Sequence, residues 1–335
     1  MTNWYQQAHN HAVWTDESSR GRLLLSDRDR LDLIHRLSTN DVLSVQVGQG
    51  TATIFTTAVG RIIDKVVVLN RGETTFLITG QGRQETIENW LKRNVFWNDR
   101  LAIENVAARF MQIGIFGPKS TEVLAEWWPQ VSRCAVYQFI ETTDPDKQQP
   151  VILVRVPDIA GGGFWLIASP EFIGEFKQAL TERDVTEIPS SAYDALRIEA
   201  GLAASGHELT GDYIPLEVGQ WDAVSFNKGC YTGQEIIARM ESRGKLAKMM
   251  VQITFDAEVQ AGDTLTTIEG KPAGQITSVA TRLPDVEKED ETRLLGLAVV
   301  KAALAEPGQQ LVVQSGETKP GATIIDLAGD YEPTY

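Results

Sequence analysis

Apolar positions along the chain switch between a helical and an alternating period. Leu31, Ile34 and Leu37 recur at helical spacing behind Ser26, Asp27 and Asp29. This predicts a short helix capped by Ser26 and closed by Ser38-Thr39-Asn40-Asp41. β-Branched and apolar runs follow at 51–57, 62–69 and 74–79, with Asn70-Arg71-Gly72-Glu73 as a hairpin turn. A helix at 84–93 carries Ile87, Trp90 and Leu91. A strand at 109–116 then meets Gly117-Pro118-Lys119 and a helix capped by Ser120.

Strands are expected at 134–140 and 151–156, joined by the polar segment 142–150. Gly161-Gly162-Gly163 precedes a strand at 164–168 rather than a helix, which favours a hairpin connection over a phosphate loop. Helices at 170–180 and 191–200 follow. Beyond residue 248 the pattern becomes short strands at 249–255, 263–268, 274–280, 294–300 and 310–313, separated by Gly-rich turns and an acidic loop at 284–292. Regular short strands of this kind predict a small β-barrel. The fold class is α+β, with a core over 1–247 and a barrel over 248–335.

At 335 residues the chain can hold two or three cored domains, and 42% hydrophobic with 23% charged residues is ordinary for a soluble protein. A net charge of −14 argues against a direct nucleic-acid binder but leaves room for a small anion on a local basic patch. Cys134 and Cys230 form no CxxC pair, no signal peptide is visible, and no apolar run could span a bilayer. A cytoplasmic protein without membrane attachment is expected. His9 and His11 lack neighbouring ligands in sequence, so no metal site is assigned to that polar start, which is expected to be a mobile or capping segment.

The chemistry concentrates at 225–248, S-F-N-K-G-C-Y-T-G-Q-E-I-I-A-R-M-E-S-R-G-K-L-A-K. Thr232 and Glu235 have capping-box spacing, Ile236, Ile237 and Met240 give the helix an apolar face, and Gly244 suits its end. Cys230 then precedes a helix N-terminus and stands two residues from Lys228, both of which favour a thiolate. A buried structural cysteine is the alternative reading. Basic residues near a helix end complement its dipole, which accounts for Arg243 and Lys245. Arg239 lies mid-helix and is expected to face a ligand or the Cys turn.

K-G-C-Y-T-G-Q-E, continuing to A-R and R-G, resembles the hallmark of the YgfZ family. These are folate-binding relatives of the glycine-cleavage T-protein (aminomethyltransferase) associated with iron–sulfur cluster maintenance. L-D-L-I-H-R-L-S-T-N-D-V, I-G-I-F-G-P-K-S, A-L-R-I-E-A-G, I-P-L-E-V-G-Q-W and G-K-P-A-G-Q-I-T-S resemble further T-protein segments, so the likeness spans nearly the whole chain. It implies a three-domain ring around a folate channel, with two interleaved domains and a closing barrel. It also implies tetrahydrofolate or a one-carbon derivative as ligand, a transient iron–sulfur cluster, and iron–sulfur assembly or client proteins as partners, with an indirect effect on tRNA modification. Cys230 and Lys228 would carry the chemistry, and Tyr193, Arg197, Glu199 and Arg239 would hold folate. For Arg197 and Glu199 a structural ion pair is an equal alternative.

Two departures bear on the reaction. Where T-proteins carry two aspartates, this chain has Asp64-Lys65, and a lysine cannot serve as the same acid or base. Pro157-Asp158-Ile159-Ala160-Gly161 stands where T-proteins place a pterin-contacting Glu. The likeness therefore implies a protein that does not run glycine cleavage. A one-carbon transferase using another acid–base pair, or a folate-binding scaffold with a structural Cys turn, remain as alternatives.

Overall fold

A computed structural model describes residues 4–143, 150–242, 244–282, 293–316 and 318–331. The acidic loop 284–292, most of the polar segment 142–150 and Arg243 lie outside the described residues. The chain opens with helix α1 (Trp4–Asn10) and strands β1 (Val13–Asp16) and β2 (Arg20–Ser26). Helix α2 (Arg30–Leu37), strands β3 (Gly50–Thr56), β4 (Ile62–Asn70) and β5 (Thr74–Gln81), helix α3 (Gln84–Arg93) and strand β6 (Ala102–Asn105) follow. Next come β7 (Met111–Phe116), α4 (Ser120–Ala125), β8 (Phe139–Thr143), β9 (Pro150–Ile159), β10 (Gly162–Ala168), α5 (Pro170–Thr181) and β11 (Thr186–Glu187). Helices α6 (Ser190–Glu199) and α7 (Gln234–Ser242) lead into β12 (Lys248–Phe255), β13 (Thr264–Thr266), β14 (Pro272–Arg282), β15 (Arg293–Lys301), β16 (Gln310–Gln314) and β17 (Gly321–Leu327).

The strands form a five-stranded sheet in the order β3-β4-β5-β2-β6 and a six-stranded sheet in the order β11-β1-β7-β10-β9-β8. A closed barrel has the order β12-β15-β14-β13-β16-β17. The α+β class and the barrel expected from the strand spacing are thus present. The chain divides into two compact units, one of residues 1–55, 64–190 and 227–232, the other of 56–63, 191–226 and 233–335. The first holds most of both sheets and the second holds the barrel.

Alternation along β7 shows how the larger sheet is filled. Ile113 and Ile115 join Trp14, Leu153, Phe164 and Leu166 in a core covered by α4 and α5. Gln112 and Gly114 take the opposite face, as the two-residue period requires. Phe172 and Phe176 of α5 stack at 5.6 Å, and Trp128 lies 5.5 Å from Phe176. Ser169 caps α5 through the Phe172 amide at 3.2 Å, so sequence pattern and cap agree there.

Three expectations need correction. Ser26 caps no helix: it ends β2, paired with Thr74 and Ala102, and α2 begins after a turn whose Asp27 has a φ of 74°. Residues 134–138 are not a strand, because a 3₁₀ turn at Pro129–Arg133 delivers Cys134 into a loop and β8 starts only at Phe139. The polar start is ordered as α1, which buries Tyr5 and Ala8.

Candidate functional site

The Cys turn is built on the C-terminal end of α2, in the first unit. A helix end leaves backbone carbonyls without partners. Here the Lys228 ammonium donates to three carbonyls, those of His35 (2.6 Å), Ser38 (2.7 Å) and Asn40 (2.7 Å). Ser38 is the extended residue closing α2, and a cation at this end also complements the helix dipole. The 38–41 segment is itself fixed to β3, with the Thr39 amide donating to Ile54 and the Asn40 side chain donating to Ala52 at 2.9 Å. On the far side of the turn, the Thr232 amide donates to the Arg36 carbonyl at 3.2 Å. Residues 228 and 232 are therefore both fastened to one helix end, and the exposed, free thiol of Cys230 sits between them.

Burial, opposed by Asp41, pushes the Lys228 ammonium down to about 8. The His35 imidazole is also lowered, first by burial and then by the Lys228 charge. Its Nδ1 stands 3.4 Å from an Asp41 carboxylate oxygen, without hydrogen-bond alignment. Tyr231 is buried beneath Lys228, whose ammonium is 5.0 Å from its ring centroid, and burial pushes its hydroxyl up to about 12. Lys228 was expected to act beside the thiol. Its three donors instead meet three carbonyls, so it serves as a positioning residue that fixes the turn.

The expected capping box takes another form. Gly233 has a φ of 87°, and a Cβ there would lie 2.6 Å from the Thr57 carbonyl and 2.9 Å from Gly60 Cα. A left-handed residue cannot be the first helical position, so α7 starts at Gln234. The amide that Glu235 would have capped donates to Arg36 instead.

In the second unit, Tyr193 is buried on α6 with 9% exposure. Arg197, on the same helix, is 3% exposed and belongs to a closed network. Its Nε donates to Asp194 (2.7 Å), Nη1 to the Leu202 carbonyl (3.2 Å) and Nη2 to Ser278 on β14 (2.9 Å). Glu208, wholly buried, lies 3.4 Å from Nη1 and accepts from the Ala204 amide and the Ser278 hydroxyl. Of the two expectations for Arg197, ligand contact or structural ion pair, the structure shows the ion pair, and Arg197 joins α6 to the barrel. Glu199 is half-buried, and its carbonyl accepts from Gln252 at 2.7 Å. Arg239 is exposed on α7, as are Lys245 and Lys248 beyond it, and the Lys248 ammonium is 5.1 Å from the Tyr213 ring. Lys65 is half-buried on β4, and the wholly buried Asp64 beside it accepts from the Gly80 amide at 2.8 Å.

Cys134 offers a contrast. It is half-buried, and burial pushes its thiol up. Among the described residues, the side-chain amide of Gln112, wholly buried on β7, and the indole N–H of Trp165 have no hydrogen-bond partner. Among the described residues no group of three His, Cys, Asp or Glu side chains could hold a metal, and no helix is long and apolar enough to cross a membrane. Sequence reasoning missed Arg36, His35 and Asp41 as the seat of the Cys turn. Nothing local marks them, since the two motifs are some 190 positions apart in the chain.

Residues 3–228 match the family model described as the GCVT N-terminal domain. The chain belongs to that family. Among curated GCVT-like relatives, the aminomethyltransferase of Listeria welshimeri is 27% identical over 95% of this chain and 88% of its own length. A chloroplastic Arabidopsis thaliana protein named a "putative transferase" is 27% identical over 80% of this chain, which spans only 62% of that protein. The crystal structure of aminomethyltransferase T of the glycine cleavage system from Bartonella henselae superimposes with a TM-score of 0.81, covering 96% of this chain and 87% of that one at 18% identity. That likeness establishes the T-protein fold for this GCVT-family chain.

Proposed function

We propose that this protein is a folate-binding accessory factor for iron–sulfur cluster assembly or repair, of the YgfZ type, acting in the cytoplasm with Cys230 as its functional thiol. The observation that carries this reading is the placement of Cys230, exposed on a turn that Lys228 and Thr232 fasten to α2. A structural cysteine would be buried among apolar neighbours. One thiolate is too few to hold a cluster, and no metal-binding group lies among the described residues, so the cluster is cargo. Cys230 would supply one ligand or sulfur contact and a client protein the others, with tRNA-modifying iron–sulfur enzymes affected indirectly.

Folate asks for an aromatic face, polar groups for the pterin edge and cations for the glutamate tail. Tyr193 supplies the ring, and exposed Arg239 supplies a free guanidinium for the tail. Glu199, on the same helix beyond Tyr193, would be a further polar contact. Bound tetrahydrofolate would supply a reduced pterin able to carry a one-carbon unit. A second reading, a one-carbon transferase, draws on the 88% coverage of a Listeria aminomethyltransferase. Lys65 at the position of the transfer carboxylate weighs against it.

Calorimetric titration with tetrahydrofolate tests the ligand. Saturable binding is expected, weakened roughly tenfold in Tyr193→Ala, in line with loss of one aromatic contact, and unchanged in Cys230→Ser. Absence of binding, or an indifferent Tyr193→Ala, would reject the site.

A further inference from the structure

The outer amides and carbonyls of an edge strand pair with nothing in its own sheet. β8 is such an edge of the six-stranded sheet. Its register shows which groups point outward. The Tyr137 amide donates to the Arg155 carbonyl (2.7 Å) and the Arg155 amide to the Gln138 carbonyl (2.9 Å), so Tyr137 and Gln138 together face Arg155. This is a bulge, and Tyr137 has the left-handed φ of 65° that glycine usually supplies at its first position. Phe139 then faces Val154, Ile140 faces Leu153 and Glu141 faces Ile152. Bonded and non-bonded pairs alternate in an antiparallel ladder, so Ile140 and Thr142 bond to β9. The backbone groups of Phe139, Glu141 and Thr143 point away from it.

A groove accompanies these groups. A cavity of about 640 Å³ lies between the 3₁₀ turn Pro129–Arg133, continued by Cys134, and residues Gln138, Phe139 and Ile140. Ile140 packs on the core of the larger sheet yet is only half-buried, so a flank of that core stays open to solvent. Edges are commonly blunted by lysine, proline or a covering segment. Residues 38–40 cover β3 in this way. β8, Phe-Ile-Glu-Thr-Thr, carries neither residue, and its one carboxylate is held by Arg71, whose Nε donates to it at 2.8 Å. Outward amides at every second residue, beside a groove walled by a helical turn, match an extended chain that adds to the sheet. We propose that β8 and this groove bind an extended segment of a partner protein, which joins the sheet as a seventh strand and lays an apolar side chain against Phe139 and Ile140. The proposal is independent of Cys230 and of folate.

Cys134 lines the groove and serves as the reporter in Cys230→Ser protein. The probes are the peptide Cys-Thr-Val-Thr-Val-Thr and the same peptide with every amide beyond the cysteine N-methylated. Each is supplied as its mixed disulfide with cysteamine, and a second pair carries the cysteine at the other end to allow either strand direction. The Cys134 sulfur bonds to the peptide sulfur as the peptide–cysteamine bond breaks, and the thiol proton passes to the departing cysteamine. Burial raises the Cys134 thiol, so the captured fraction is read by mass spectrometry at equilibrium in excess cysteamine, not as a rate. In one of the two directions the plain peptide should be captured at least about tenfold more than its N-methylated form, the effect of one or two net backbone hydrogen bonds. It should slow hydrogen exchange at the amides of Phe139, Glu141 and Thr143 and leave those of Ile140 and Thr142 unchanged. Glu141→Pro removes an outward amide and no bond to β9, and should abolish the preference, as should Thr143→Pro. Glu141→Gln keeps the amide and should keep the preference, and cystamine should modify all these proteins alike. Equal capture of plain and N-methylated peptides in both directions, no protection of the outward amides, or a preference that survives both proline variants would overturn the proposal. So would a dimer of the free protein in sedimentation that Glu141→Pro dissolves, since the occupant would then be a second copy.

Discussion

Lys228 and Arg197 are both buried cations within family motifs, the first expected beside the reacting thiol and the second as a folate contact or a structural ion pair. Their surroundings differ. Arg197 is closed in on every side, with Asp194, Glu208, Ser278 and the Leu202 carbonyl using its donors. Lys228 is closed in as well, but the chain it fixes emerges at once into solvent at Gly229 and Cys230. A buried cation in a motif therefore marks a point of anchorage. Function is to be sought in what the anchored segment presents.

Removing each cation tests this difference, and the larger loss is expected at Arg197. Arg197→Met leaves Glu208 as a wholly buried carboxylate without its counter-ion, a change that costs about 3–5 kcal/mol. The double variant Arg197→Met/Glu208→Gln should recover a substantial part. Urea unfolding of the four-member cycle checks this, and additive losses would show that the two groups are not coupled.

Lys228→Met should cost less, about 1–3 kcal/mol. The Ser38 carbonyl is buried, but those of His35 and Asn40 are part-buried and can turn to water. Its signature is local: hydrogen exchange at the amides of 229–232 should rise while those of α6 stay protected. A loss equal to that of Arg197→Met, spread over both units, would erase the distinction drawn here.

The tyrosines sharpen it from the other side. Tyr231 in the Cys turn and Tyr213 in the second unit are both pushed up to about 12 by burial, and Tyr331 is raised as well. Their unfolded-state value is about 10, so the folded state favours the neutral phenol. The stability this contributes is complete below about pH 10 and is lost as pH rises from about 10 to 12, each tenfold fall in proton concentration costing about 1.4 kcal/mol. Lys228, lowered to about 8, adds stability as pH rises to about 10.5, so urea midpoints should fall between about pH 10.5 and 12, less steeply in Tyr231→Phe and Tyr213→Phe. A flat profile over that interval would contradict the burial of these hydroxyls.

Much of this was legible in the chain. Helix α5, with Ser169, Pro170 and an apolar stripe, declares its start and its face locally, and the barrel strands declare their period. Cys230 was found by its neighbours Lys228, Gly229 and Thr232. What could not be read is the partner of each motif. The Arg-x-Glu helix gave no sign that Glu208, eleven residues beyond Arg197, and Ser278 on β14 would take up its guanidinium. The capping box failed because the close approach of the 57–60 turn forces Gly233 left-handed, a long-range constraint that local spacing does not encode. The strand β17 was missed because the run after Gly321 alternates with exposed residues, and it takes β12 and β16 to show which face is core.

The central claim is that the exposed thiol, not the buried cations, does the work. Iron–sulfur enzyme activity should be measured in cells lacking the native protein and supplied with Cys230→Ser or Cys134→Ser. Folding and tetrahydrofolate binding should be intact in both, since neither substitution removes a buried anchor. Cys134→Ser should restore activity fully and Cys230→Ser should leave it near the level of the empty vector. Full restoration by Cys230→Ser would contradict the account and move the one-carbon transferase reading ahead of it.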